Sequence, residues 1–473
     1  MNDRLGAGEA AKEAAEELEQ SLYEVRKKIY ARAVHGSFAA WRWGLVWLTQ
    51  VIFYGLPWLT WNNRQAVLFD LGARKFYIFG LVFWPQDFIY LTALLIIAAY
   101  ALFLFTAVGG RLWCGYACPQ TVYTEIFMWV ERKIEGDRVA RMRLDGSAMS
   151  GRKFALKALK HAAWIAIALW TGLTFVGYFT PIRDLLGQVA SFSLGPWQTF
   201  WIFFYGFATY GNAGWMREQV CKYMCPYARF QSAMFDKDTM IVTYDPARGE
   251  PRGSRSRKAD SKLLGLGDCV DCSLCVQVCP TGIDIRNGLQ YECIGCAACI
   301  DACDQVMDRM RYPKGLIRYA TENAIENRWT AKEMLRRVAR LRTGIYTAIL
   351  GLVIAAAAVS LYNRVPLKVD VVRDRSSLAR EVDGEIENVY RLQLMNTREQ
   401  PHKYRISASG LDSLHIASAS EVDMPAASTR QVPVQLRIKP GAADPGSHKI
   451  EFRVEGLDDP GVVVNEKSVF LVR

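Results

Sequence analysis

Five long apolar blocks, one doubled run of cysteines and a cysteine-free tail of short alternating segments predict a multidomain integral membrane protein. The blocks predict an α-helical five-span membrane domain. The tail predicts an all-β immunoglobulin-like domain. Between the fourth and fifth blocks lies Cys269-x-x-Cys272-x-x-Cys275-x-x-x-Cys279-Pro280, followed by Cys293-x-x-Cys296-x-x-Cys299-x-x-x-Cys303. That spacing, written twice, predicts an α+β two-cluster ferredoxin domain.

The apolar blocks are residues 38–60, 88–108, 162–180, 197–216 and 343–362, each long and charge-poor enough to cross a bilayer. Arg42 sits near the start of the first, within reach of the interface. Basic residues set the orientation. Spans two and three are separated by Arg111, Arg132, Lys133, Arg138, Arg141, Arg143, Arg152, Lys153, Lys157 and Lys160, whereas 181–196 holds only Arg183. Residues 217–342 are basic again, with Arg336, Arg337, Arg340 and Arg342 directly before the fifth block. The positive-inside rule then places the N-terminus and the cysteine run in the cytoplasm and the tail across the membrane. The net charge of +11 is thus topological, and nucleic acid is excluded as a partner.

All 12 cysteines lie before residue 304. Thiolate ligands need a reducing compartment, which agrees with a cytoplasmic cysteine region. The first residues read as a charged cytoplasmic N-terminal helix over 1–37 with no cleavable signal. Next come a four-span membrane domain over 38–247, a flexible basic linker over 248–264 and the ferredoxin domain over 265–310. A cytoplasmic connector over 311–342, the fifth helix over 343–362 and a periplasmic domain over 366–473 complete the expected order. The setting implied is a bacterial inner membrane, crossed several times.

Three thiolates at i, i+3 and i+6 come from one tight loop and cover three corners of an iron–sulfur cube, while the fourth cysteine reaches the other cube. One [4Fe–4S] cluster is therefore expected on Cys269, Cys272, Cys275 and Cys303, and a second on Cys293, Cys296, Cys299 and Cys279. Zinc sites use paired C-x-x-C elements without this triplet.

A second cysteine set follows the second apolar block and the fourth. Cys114-Gly-Tyr-Ala-Cys118-Pro119 and Cys221-Lys-Tyr-Met-Cys225-Pro226 share the spacing C-x-x-x-C-P, with Tyr116 and Tyr223 inside and Arg111 or Arg217 upstream. The four spans then read as two copies of a two-helix unit in the same orientation, related by an axis along the membrane normal. Such an axis brings the two pairs together as a four-thiolate site for copper(I), zinc or another iron–sulfur cluster. Buried structural cysteines are the plainer alternative. Met128, Met216 and Met224 lie nearby in sequence; His35 and His161 form a weaker haem pair.

After the fifth block, Tyr390–Leu394, Val432–Ile438 and Ile450–Val454 alternate apolar and polar residues. Asn396, Pro440-Gly441, Pro445-Gly446 and Pro460-Gly461 punctuate them. The tail carries no catalytic-looking cluster, so binding or assembly is its expected role. Neither a Rossmann fingerprint nor a P-loop is present, and nicotinamide or ATP chemistry is not supported.

These residues resemble the FixG/CcoG cytochrome oxidase accessory proteins. The likeness rests on Arg64-Gln-Ala-Val-Leu-Phe-Asp-Leu, Trp84-Pro-Gln-Asp87, the first C-x-x-x-C-P segment, Tyr210 to Cys221 and Arg318-Tyr-Ala-Thr-Glu-Asn. It runs from about residue 35 to the C-terminus. What the resemblance implies is an oxidoreductase-like role in assembling the cbb3-type oxidase, reducing copper(II) to copper(I) with Cys114, Cys118, Cys221 and Cys225 as the reducing site. Copper carriers or oxidase assembly factors and a cytoplasmic electron donor are the partners implied. The rivals are a quinol-linked or partner-linked electron-transfer subunit and a redox-sensing assembly scaffold.

Overall fold

The computed structural model describes residues 28–259, 263–374 and 379–472, and divides the chain into two compact units. Residues 1–46, 108–164 and 211–337 form one; residues 47–107, 165–210 and 338–473 form the other. Among the described residues, three helices are long and apolar enough to cross a membrane: Pro85–Gly109, Gly151–Val176 and Leu341–Tyr362. They cover the second, third and fifth expected spans. The first is the 19-residue helix Ser37–Gly55, which leaves Trp41, Trp47 and Val51 exposed. The fourth is α-helical for only 14 residues, Pro196–Thr209, before its winding widens to π at Tyr210–Met216.

In the first unit the ferredoxin fold is wider than the expected 265–310. Strand Ile241–Tyr244 pairs antiparallel with Ile317–Ala320, from Ile241 opposite Ala320 to Tyr244 opposite Ile317. Val242, Tyr244, Leu316 and Ile317 are buried with Cys269, Cys275 and Met307 in one core. The supposed connector and the residues before the linker are therefore the module's own sheet.

Of the segment read as a flexible linker, residues 260–262 lie outside the described residues, and the stretch from Arg248 to Arg255 is tied down. Arg248 pairs with Asp268 at 2.6 Å and donates to the Lys314 and Pro313 carbonyls. Arg255 donates to Tyr312 Oη at 3.1 Å and to the Gly267 carbonyl at 2.6 Å. A basic run marked this stretch as solvated, whereas its guanidinium groups serve as cross-links.

The two halves of the cysteine run differ for a local reason. Pro280 follows Cys279, and the helix there is only Leu274–Gln277. Asp304 follows Cys303, and the helix runs on from Ala298 to Met310. Proline's missing N–H and its ring stop a helix; aspartate lets it continue.

Residues 1–27 of the expected N-terminal helix lie outside the described residues, and the part within, 28–36, is not helical. Its backbone groups have distant partners that a helix would have consumed. Arg32 N–H donates to the Gln277 carbonyl at 2.8 Å and Ala33 N–H to Asp137 at 3.0 Å. The Tyr30 and Ala31 carbonyls accept from Arg138 and Arg141. The helix that follows is capped from afar: the buried Asp301 carboxylate accepts Phe38 N–H at 3.2 Å and Ala39 N–H at 2.7 Å. A carboxylate on two of the orphan N–H groups complements the helix's positive end.

The second unit contains the immunoglobulin-like domain, two antiparallel sheets enclosing one core. One has the order His415–Ile416, Thr429–Ile438, Glu385–Asn396, Leu367–Arg373, with Arg380–Val382 paired to Glu385–Asn396. The other has the order Glu421–Met424, His402–Ser409, Gly446–Gly456, Val463–Val472. Burial alternates along the strands, placing Tyr404, Ile406, Val434, Leu436, Phe452, Val454 and Phe470 inside. Short strands between Thr60 and Phe83 precede the helix at Phe88 and were not anticipated. Each is two to four residues long, too short for periodicity to register.

Asp87 ties this membrane helix to the start of the sandwich. Its carboxylate accepts Trp84 N–H at 3.0 Å and Arg364 at 2.6 Å, and also pairs with Lys368. Asp87→Ala is expected to cost about 3 kcal/mol, the low end for breaking a buried pair, because Lys368 remains partly solvated. Thermal unfolding in detergent checks this; an unchanged midpoint would show that the node is dispensable.

Candidate metal centre

Two cavities mark where the cysteine run can hold clusters. One is lined by Cys269, Cys272, Cys275 and Cys303 together with Tyr244, Leu274 and Met307. The other is lined by Cys279, Cys293, Cys296 and Cys299, with Cys275 on the wall it shares with the first. The first wall carries four thiols, and the second carries four besides the shared Cys275, in otherwise largely apolar surroundings, a donor set that fits a cubane. Four positions take a left-handed backbone, Asp271 (φ 50°) and Ser273 (φ 56°) in the first triplet and Gly295 (φ 67°) and Ala297 (φ 58°) in the second, and they fold each C-x-x-C-x-x-C triplet back on itself.

Burial pushes the Cys293 and Cys303 thiols up to about 12 and the Cys275 thiol up to about 11. Cluster insertion must therefore displace protons, and thiolate is the form the metal stabilises. Cys272 is the exposed member, whereas Cys296 is buried.

The second cysteine set forms two elbows. In each, the second cysteine is the N-cap and the proline the first residue of a helix: Cys118 before Pro119–Glu135 and Cys225 before Pro226–Met234. The elbows are not identical. Arg111 precedes Cys114 by three residues and Arg217 precedes Cys221 by four. The extra residue accompanies π-helical winding at Val220–Met224 and a positive φ of 41° at Arg217.

Reciprocal glutamines staple the elbows together. The Gln120 amide donates to the Asn212 carbonyl at 2.9 Å and the Arg217 carbonyl at 3.0 Å. Gln231 contacts Cys114 Sγ at 3.3 Å and donates to the Gly110 carbonyl at 3.3 Å. The four thiols are near enough to perturb one another. Burial, then the charge on Cys118, pushes Cys114 up to about 12, with Cys221 and Cys225 adding to it. Cys221 rises to about 11 through burial and the charges on Cys118 and Cys225.

Both elbows rest on the second ferredoxin half. Cys114 and Cys221 pack against Val278, Ile294, Cys296 and Ala298. A Cβ on Gly115 would lie 2.8 Å from the Gly295 carbonyl, so only glycine permits this approach. Arg111 donates to the carbonyls of Tyr291 and Ala228, fixing the cluster loop to the second elbow's helix. Tyr319 Oη donates to the Gly295 carbonyl at 2.5 Å and lies 3.3 Å from Tyr116 Oη, from which it can accept.

A buried carboxylate holds the second elbow in place. Glu131 lies 3.0 Å from Arg217, 2.8 Å from Arg141 and 3.8 Å from Lys160. Burial alone would raise its pKa, but these cations, Arg217 foremost, hold it below the usual carboxylate range. The sequence drew attention to Arg217 but not to Glu131, because the pair is separated by the whole third and fourth apolar blocks. Of the methionines singled out, Met128 lines a cavity of about 390 Å³ with Cys221, Cys296, Arg42, Glu125 and Glu218, and Met224 is exposed. His161 stacks on Trp215 at 5.8 Å, and the His35 carbonyl accepts from Gln305.

Among the described residues, no three His, Cys, Asp or Glu side chains close on a point as around one metal ion. A single zinc draws its sulfurs to about 2.3 Å from one centre. The ferredoxin thiols instead surround cavities.

The family comparisons agree with this layout. Residues 216–322 match a 4Fe-4S dicluster domain, 90–136 a 4Fe-4S binding domain, and 357–473 the IG-like fold at the C-terminal of FixG. Protein RdxA of Cereibacter sphaeroides is 40% identical over 459 residues, covering 94% of this chain and 96% of the relative. Protein RdxB of the same organism is 39% identical, covering 92% and 94%. The nitrogen fixation protein FixG of Rhizobium meliloti is 38% identical, covering 85% and 82%. With relatives at this identity along nearly its whole length, apolar helices long enough for a bilayer and two ferredoxin-type matches, the chain belongs to the FixG family of membrane iron–sulfur electron-transfer proteins.

Proposed function

We propose that this protein carries electrons from a cytoplasmic donor to copper(II), yielding copper(I) for assembly of a cbb3-type cytochrome oxidase. The observation that carries the reading is the seating of both cysteine elbows on the second ferredoxin half. When bound, the clusters supply one-electron transfer, and each copper(II) takes one electron to become copper(I). Cys269, Cys272, Cys275 and Cys303 hold the first, and Cys279, Cys293, Cys296 and Cys299 the second. Exposed Cys272 marks the side on which a donor protein docks. Cys114, Cys118, Cys221 and Cys225 form the far end, next to the membrane. Copper(I) is the soft form that thiolate and thioether carriers accept, which gives the reduction a purpose in metallation. Copper carriers and oxidase assembly factors are the partners this reading requires. The oxidase itself comes from the resemblance to cytochrome oxidase accessory proteins.

The same reading places five spans in the bacterial inner membrane, with the ferredoxin domain cytoplasmic and the immunoglobulin-like domain periplasmic. A reporter fused after residue 473 is expected to be active only outside the cytoplasm, and one inserted near Gly265 only inside. Cytoplasmic activity at both sites would mean that Leu341–Tyr362 does not span. The function is tested by giving the purified protein a chemical reductant and following copper(I) formation. A protein that passes its electrons to a quinone analogue and not to copper(II) is the electron-transfer subunit of the rival reading.

A further inference from the structure

We infer that Cys114, Cys118, Cys221 and Cys225 together seat a third iron–sulfur cluster, each elbow supplying half of its ligands. The segment that matches a 4Fe-4S binding domain, 90–136, contains only Cys114 and Cys118. A cubane takes four cysteines. Of the chain's 12 cysteines, eight line the two ferredoxin cavities, and the remaining four are Cys114, Cys118, Cys221 and Cys225. The fold brings the second pair to the first through the reciprocal Gln120 and Gln231 staples.

The surroundings suit a cluster. Cys118 and Cys225 stand at the N-termini of helices of 17 and 9 residues, where unpaired N–H groups and the helix dipole favour negative charge. The Gln120 and Thr121 N–H groups are aimed at Cys118 sulfur, the kind of hydrogen bond that tunes cluster potential. Arg111 adds a positive charge beside Cys114 and Cys221. The inference depends on the electron path proposed above only for its purpose. The seat then becomes the last relay before copper(II), instead of a copper ligand set.

Iron and acid-labile sulfide in the anaerobically purified full-length protein test it without reference to copper. About twelve iron atoms per chain are expected, falling to about eight in Cys114→Ser/Cys118→Ser, in Cys221→Ser/Cys225→Ser and in the variant combining both pairs. The lost absorption should be sulfur-to-iron charge transfer, present in Cys272→Ser/Cys296→Ser and absent from the elbow variants. Wild-type protein with about eight iron atoms overturns the inference, whether its elbow thiols are free, disulfide-bonded or occupied by zinc or copper. The wild-type count decides this even if an elbow variant fails to accumulate. Failure of copper reduction in a twelve-iron protein would instead reject the proposed function and leave the third seat standing.

Discussion

Replacing either elbow pair is expected to abolish copper(II) reduction while leaving the iron of the ferredoxin domain in place. The eight cysteines of that domain belong to separate cavities, so Cys114→Ala/Cys118→Ala does not empty them. Each pair is half of one site, and the variant lacking both pairs should be no worse than either alone. Residues that act as a unit are non-additive in this way. If the cysteines merely packed as small hydrophobes, the loss would appear as poor accumulation, with activity per folded molecule retained. Gln120→Ala and Gln231→Ala should weaken the same step without removing a thiol, because each carries one side of the staple. Glu131→Gln leaves Arg217, Arg141 and Lys160 around a neutral group and is expected to disorder the second elbow first.

Replacing Cys272 and Cys296 together by serine is expected to remove most of the ferredoxin iron. One residue is taken from each seat, and a cube with three thiolate ligands is readily lost. The fold should suffer as well. Both cavities lie in the core formed by Val242, Tyr244, Ile300, Met307 and Ile317, and an empty cavity in a core leaves the lining without packing partners. Iron, sulfide and limited proteolysis of residues 241–320 measure both consequences. Stoichiometric zinc with no visible charge-transfer absorption in the parent protein would reject the cluster assignment.

What could be read in advance follows from how information is stored in a chain. The ligand triplets, the C-x-x-x-C-P elbows and the alternating tail are local patterns, so spacing alone identified them. The parts that hold the site together are long-range pairs. Asp301 caps a helix 262 residues earlier, Gln120 reaches across 97 residues to Arg217, and Gln231 reaches back 117 residues to Cys114. No periodicity announces such contacts. The sheet at Ile241–Tyr244 and Ile317–Ala320 was missed for the same reason, since its two strands flank the whole cysteine run. The basic segment at 248–259 was misread because a run of arginines is the same in sequence whether solvated or cross-linking. The two-fold likeness of the elbows was legible from their shared spacing and prolines. Their difference in winding, set by one residue between arginine and cysteine, emerges only in three dimensions.

The central claim is that electrons held by the ferredoxin domain leave through the elbows to copper(II). It is tested most directly by a single turnover. Purified protein is reduced anaerobically, freed of reductant and mixed with copper(II) while cluster absorption and copper(I) are followed together. The account predicts one copper(I) per electron lost from wild-type protein. It predicts that either elbow-pair variant, normalised to its ferredoxin iron, stays reduced. Reoxidation of both pair variants by copper(II) at the wild-type rate would contradict it.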